Sequence, residues 1–137
     1  MITAIDSNIL IDIFLEDKTF AKASKKALLE NLEQGAVVAC GVVLIETMTH
    51  FPSAEIFFES LSILGIQPQE IPMPAFLQAA LAWQTYKRSG GKKGRGVADF
   101  LIGGHALMEC DQLLTRDRGF FREYFKKLKI VEPRLHK

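Results

Sequence analysis

The chain has 137 residues, 48% of them hydrophobic and 24% charged, which suits one globular domain over residues 1–137 with a substantial core and excludes disorder as the default. Lys and Arg number 17 against 16 Asp and Glu, so no overall field draws the chain to nucleic acid or a membrane, and any such partner must be met by a local patch. Cys40 and Cys110 fit no Cys-x-x-Cys or zinc spacing, the N-terminus has no signal-like basic segment, and no stretch reaches the roughly 20 apolar residues of a membrane span, so a reducing cytoplasmic setting is expected.

Residues 2–5 form a short apolar run closed by Asp6, as in a buried parallel strand that delivers a polar residue at its C-terminal end. Asn8 is then a candidate cap for a helix carrying Ile9, Leu10, Ile13 and Phe14. A second helix is expected over 20–34, stopped by Gly35, followed by a strand over 36–40 and a helix over 42–50. Pro52 starts another helix through Ile56, Phe57, Leu61 and Leu64, and Gly65 ends it before an extended piece around Ile66. Helices over 75–87 and 97–110 flank the Gly/Lys/Arg loop 89–96. Leu113 and Leu114 lie in a strand ending at Thr115, a short helix after Asp117 carries Phe120, Phe121, Tyr124 and Phe125, and residues 129–131 form a last short strand. Short apolar strands alternating with helices define an α/β domain with a mostly parallel sheet covered on both faces.

In such a sheet ligands bind beyond the carboxyl ends of the strands. Asp6 and Asp117 follow strands, Glu46 lies on the helix after the second strand, and Asp99 opens the helix before the strand holding Leu113. Taken singly, Asp99 can serve the helix dipole, Asp6 and Asp117 can be caps or turn residues, and Glu46 can sit on a polar stripe. Together they suggest a metal centre. Gathered carboxylates repel by about 4 kcal/mol per pair at an effective dielectric of 20, and hard cations such as Mg²⁺ or Mn²⁺ relieve that repulsion. Such ions keep open positions for a phosphate oxygen and an attacking water, the chemistry of phosphodiester hydrolysis.

The blocks Ile5-Asp6-Ser7-Asn8-Ile9-Leu10-Ile11-Asp12, Glu46, Val97-Ala98-Asp99-Phe100-Leu101-Ile102 with Ala106, and Leu113-Leu114-Thr115-Arg116-Asp117 with Phe120 resemble, in order and spacing, the PIN-domain ribonucleases, in particular the VapC-like toxins. The resemblance spans nearly the whole chain. It implies a three-layer α/β/α sandwich, with Asp6, Glu46, Asp99 and Asp117 as catalytic metal ligands and Asn8 and Thr115 as polar helpers. It further implies Mg²⁺- or Mn²⁺-dependent endonucleolytic cleavage of RNA, homodimers, and an antitoxin partner bound along a hydrophobic groove. Many relatives carry a further acid where this chain has Gly119. Lys92, Lys93 and Arg95 in the basic loop, and Arg116 beside Asp117, are candidate RNA contacts, with a solvated loop as the plain alternative. Asp12 is expected to face solvent or to serve structure.

His50, His105 and His136 share no ligand spacing, and His105 lies on a different helix face from Asp99, so none is assigned to the site. Gly103 and Gly104 inside that helix point to close packing against the sheet or a partner. Two other functions compete. A haloacid-dehalogenase-like phosphatase also starts with a strand ending in Asp, but needs a second Asp at the position of Asn8. A PIN-like module that binds RNA or protein without cleaving would have no reason to hold repelling carboxylates together.

Overall fold

The computed structural model describes residues 1–91 and 94–135. Strands β1 (Ile2–Ile5), β2 (Ala36–Cys40), β3 (Ile66–Gln69), β4 (Gln112–Leu114) and β5 (Ile130–Val131) form one sheet in the order β3-β2-β1-β4-β5, and all four pairings are parallel. Helices α1 (Ser7–Phe14), α2 (Ala21–Gln34), α3 (Gly41–Met48), α4 (Ala54–Ile63), α5 (Met73–Arg88), α6 (Val97–Glu109) and α7 (Arg118–Tyr124) fill the crossovers. The result is the expected three-layer α/β/α sandwich. The extended piece around Ile66 is a full sheet strand, paired from Val37↔Ile66 to Cys40↔Gln69.

The strands are buried as their apolar runs require. Ala4, Ile5, Val37, Ala39, Leu113 and Leu114 are all nearly solvent-free and pack with Ile9, Leu28, Phe57, Phe100 and Phe121 into one core. At the N-terminal end of the sheet, Gln112 Nε2 donates to Asn31 Oδ1 (2.6 Å) and Thr3 Oγ1 (2.9 Å), and Asn31 donates to the Ala27 carbonyl. That network satisfies its buried polar groups internally and so is structural.

Two glycine positions are fixed by contact. A Cβ on Gly35, which ends α2, would lie 1.9 Å from the Met1 carbonyl oxygen. On α6, a Cβ on Gly104 would lie 2.5 Å from the Ala75 carbonyl of α5, and one on Gly103 would lie 2.3 Å from the Phe125 ring. The two glycines of α6 therefore serve close approach of α5 and Phe125, not of the sheet. Among the described residues, no helix is long and apolar enough to cross a membrane.

Chain direction leaves β1 by α1 and α2 toward β2 on one side, whereas β4 lies on the other side of β1. The crossovers therefore part at the β1–β4 boundary, and the C-terminal ends of those two strands border the crevice where parallel sheets bind ligands. Asp6 follows β1 and Thr115 to Asp117 follow β4 at that crevice.

Candidate functional site

Asp6, not Asn8, caps α1: its backbone is extended and its Oδ1 accepts from Ser7 N at 2.7 Å. Its other oxygen accepts from Thr115 Oγ1 at 2.7 Å, and Thr115 Oγ1 in turn accepts from Asp117 N at 3.0 Å. Asn8 sits in the first turn and ties β1 to β4: its Nδ2 lies 3.4 Å from both Asp6 Oδ2 and Thr115 Oγ1, and its Oδ1 accepts from Arg116 N at 3.3 Å. The two polar helpers thus join the two strand ends. They offer Asp6 neutral partners and no cation.

Glu46 enters from α3 and reaches the same end of the sheet, because Ser7 Oγ donates to its Oε1 at 2.9 Å while lying 3.4 Å from Asp6 Oδ1. Asp99 stands in the first turn of α6, and Asp117 directly precedes α7. One guanidinium links these two: Arg95 bonds Asp117 Oδ2 directly and lies 3.7 Å from Asp99 Oδ2.

The charges feel one another. Burial above all pushes the Asp6 carboxyl up to about 6, against which the hydrogen bonds from Thr115 and Ser7 act, while Asp99 and Glu46 add repulsion. Asp99 is also raised, first by burial and further by Glu46 and Asp117, with Arg95 opposing. The four acids come from four separate segments and form one electrostatic unit at the switch-point crevice.

Carboxylate oxygens are the ligands that Mg²⁺ and Mn²⁺ prefer, and a cationic group, Arg95, already lies against two of them, so the donor set fits a hard divalent cation in its chemistry. The side chains as they stand are not closed around one point: no group of three or more His, Cys, Asp or Glu among the described residues is arranged to hold a metal.

The basic candidates divide. Arg116, expected to meet RNA, directs Nε and one terminal nitrogen to the two oxygens of buried Asp12, at 2.8 and 2.9 Å, and stacks 3.9 Å over the Phe20 ring. Its forked face is taken, and a phosphate there would leave Asp12 unpaired. Asp12 accordingly serves structure, with Ser24 Oγ donating a further bond at 2.7 Å. Arg95 faces the acids instead of open solvent, and Lys92 and Lys93 lie outside the described residues. His105 is buried on α6 toward the edge strand β3, where Nε2 pairs with Gln69 Oε1 at 2.6 Å and burial lowers its pKa. Sequence reading overlooked Ser7 and the pairing of Arg95 with the acids. Ser7 carried one signal, its place between Asp6 and α1.

This fold and acidic crevice define a class. The chain matches the PIN domain family model over residues 3–126 and belongs to that family. Among solved structures, VapBC2 from Rickettsia felis, bound to a DNA fragment from its promoter, is 17% identical with a TM-score of 0.76, covering 98% of this chain and 100% of that one. VapBC-1 from nontypeable Haemophilus influenzae is 20% identical with a TM-score of 0.72, covering 96% and 98%. A toxin–antitoxin complex from Klebsiella pneumoniae is 20% identical with a TM-score of 0.65, covering 98% and 99%. At these identities the likeness is one of fold. No curated protein matches the chain significantly.

Proposed function

We propose that this PIN domain is a metal-dependent endoribonuclease that hydrolyses RNA phosphodiester bonds, and that it is the toxin of a toxin–antitoxin pair acting in the cytoplasm. The observation that carries the nuclease reading is the mutual repulsion of Asp6, Glu46, Asp99 and Asp117 near the sheet switch point, with Asp6 buried and, among the described residues, given no cation. A scaffold gains nothing from such a site, whereas a cofactor would offset its repulsion. The toxin reading is supported by structural neighbours that are complexes of VapBC type. The same likeness supports an antitoxin partner, and the family resemblance implies a homodimer.

Asp6, Glu46, Asp99 and Asp117 would hold Mg²⁺ or Mn²⁺. The bound ion would supply an activated water and charge stabilisation for an in-line displacement at phosphorus. The chain's own residues do the positioning. Thr115 and Ser7 fix the two Asp6 oxygens, Ser7 aims Glu46, and Asn8 locks the end of β4 to α1. Recognition through phosphate makes RNA of many sequences acceptable in principle.

One observation favours the alternative, a module that binds RNA or protein without cleaving: Arg95 lies where a cation would act. Incubating a mixed RNA pool with the protein in Mn²⁺, Mg²⁺ or chelator separates the two. The nuclease reading expects metal-dependent cutting that Asp99→Asn lowers by at least about 100-fold with the fold retained. Absence of cutting by folded wild type with either metal favours the binding module.

A further inference from the structure

Arg95 is held in place with care. Its backbone N–H donates to Tyr86 Oη at 2.8 Å, Tyr86 Oη donates to the Gly91 carbonyl at 2.9 Å, and the guanidinium lies 4.4 Å over the Phe120 ring. From that anchor the side chain extends to Asp117 and Asp99, two of the four acids. The backbone is thus fixed, while the charged end sits at the crevice and retains about a quarter of its exposure.

We propose that Arg95 is a tethered cation that competes with the divalent cofactor for Asp99 and Asp117, and thereby sets how tightly the site binds its metal. The inference rests on the reading of the four acids as a metal site. The same Oδ2 atoms cannot serve a guanidinium and a small dication that demands near-ideal geometry, and two positive groups in one crevice repel. A single positive charge shared by two acids leaves Asp6 and Glu46 uncompensated, so a dication remains the better occupant. Arg95 therefore holds the empty crevice together and yields when metal arrives.

The surroundings allow it to yield. Gly91 and Gly94, at φ +55° and +62°, lie in the left-handed region that glycine adopts without strain, so the anchored backbone can stay in place and the yielding falls to the side chain. On the flank of the side chain, a cavity of about 170 Å³ is bordered by Tyr86, Phe120, Tyr124 and Glu123. The aromatic walls suit a guanidinium face, and Glu123 offers it a carboxylate outside the crevice.

Calorimetric titration of metal-free protein with Mn²⁺ tests the competition. R95Q is expected to bind about 10-fold more tightly than wild type, R95K to stay nearer wild type because it keeps the charge, and R118Q, whose parent residue pairs with Glu132, to match wild type. In chelator R95Q melts below wild type, and saturating Mn²⁺ removes that deficit. Equal or weaker Mn²⁺ binding by folded R95Q, alongside measurable binding by wild type, overturns the proposal and leaves the metal-site reading standing. No binding by any of the proteins overturns both. Should R95Q fail to fold, the Arg95 Nε–Hε resonance of wild type decides: it is expected to shift as Mg²⁺ saturates, and an unmoved resonance overturns the competition.

Discussion

Asp6 and Asp12 stand six residues apart on one segment and are both buried, at 6% and 3% exposure, yet the fold surrounds them in opposite ways. Asp12 receives a forked ion pair from Arg116 and a hydroxyl from Ser24. Asp6 receives hydroxyl, amide and backbone donors, and its neighbours Glu46 and Asp99 are acids. Burying a carboxylate is costly unless it is paired, so the first arrangement is complete and the second is not. Among the described residues, the lack of a cation beside Asp6 separates the proposed metal site from the structural ion pair more clearly than burial does, and it does so across a single helix.

Breaking the complete arrangement should have the largest effect. Arg116→Ala leaves Asp12 buried without its cation and removes the stacking on Phe20, so a loss of about 3 kcal/mol is expected in urea denaturation, with Mn²⁺ affinity unchanged. The double variant Asp12→Ala, Arg116→Met should recover most of it, since neither charge then remains. A loss in Arg116→Ala below about 1 kcal/mol would mean that water already shares in the pairing.

The incomplete arrangement responds in the opposite sense. Burial raises Asp6 from 3.8 to about 6, so between these values the folded protein holds a proton that the unfolded chain has released. The stability this group contributes is present below about pH 4, falls as pH rises through about 6, and is then lost. Asp6→Asn in chelator should therefore gain on wild type across that window, by an amount on the order of 2 kcal/mol once the altered cap and Thr115 contacts are allowed for. Saturating Mn²⁺ should erase the gain, because the metal stabilises only the ionised wild type. A flat difference between the two proteins from pH 4 to 7 would show that Asp6 titrates normally.

Local rules made much of this legible. Apolar runs, prolines and glycines marked the elements, and the strand-end rule drew attention to Asp6 and Asp117. Their limits are equally physical. A cap depends on backbone conformation at one residue, and the chain turned into α1 at Asp6, two residues before Asn8. Gly103 and Gly104 announced a close approach but not its object, since α5 and Phe125 are distant in sequence. Arg95 and Arg116 looked alike beside the acids, and only the folded geometry assigned one to the crevice and the other to Asp12.

Ser7 belongs to the same group of residues whose role depends on contacts made 39 positions away, and it offers the finest test of the contrast. Its backbone N–H is bonded to Asp6 whatever its side chain, so Ser7→Ala keeps the cap of α1 and deletes the hydroxyl shared with Glu46. A partly buried hydroxyl contributes about 1 kcal/mol or less to stability, and little change in melting is expected. Loss of its aim on Glu46 should weaken Mn²⁺ binding by about 10-fold, as removal of an outer-shell partner does. If Ser7→Ala lowers stability while sparing metal affinity, the hydroxyl serves the fold as Ser24 does beside Asp12; if affinity falls while the melting point holds, the polar groups around Asp6 and Glu46 orient ligands instead of satisfying a buried charge.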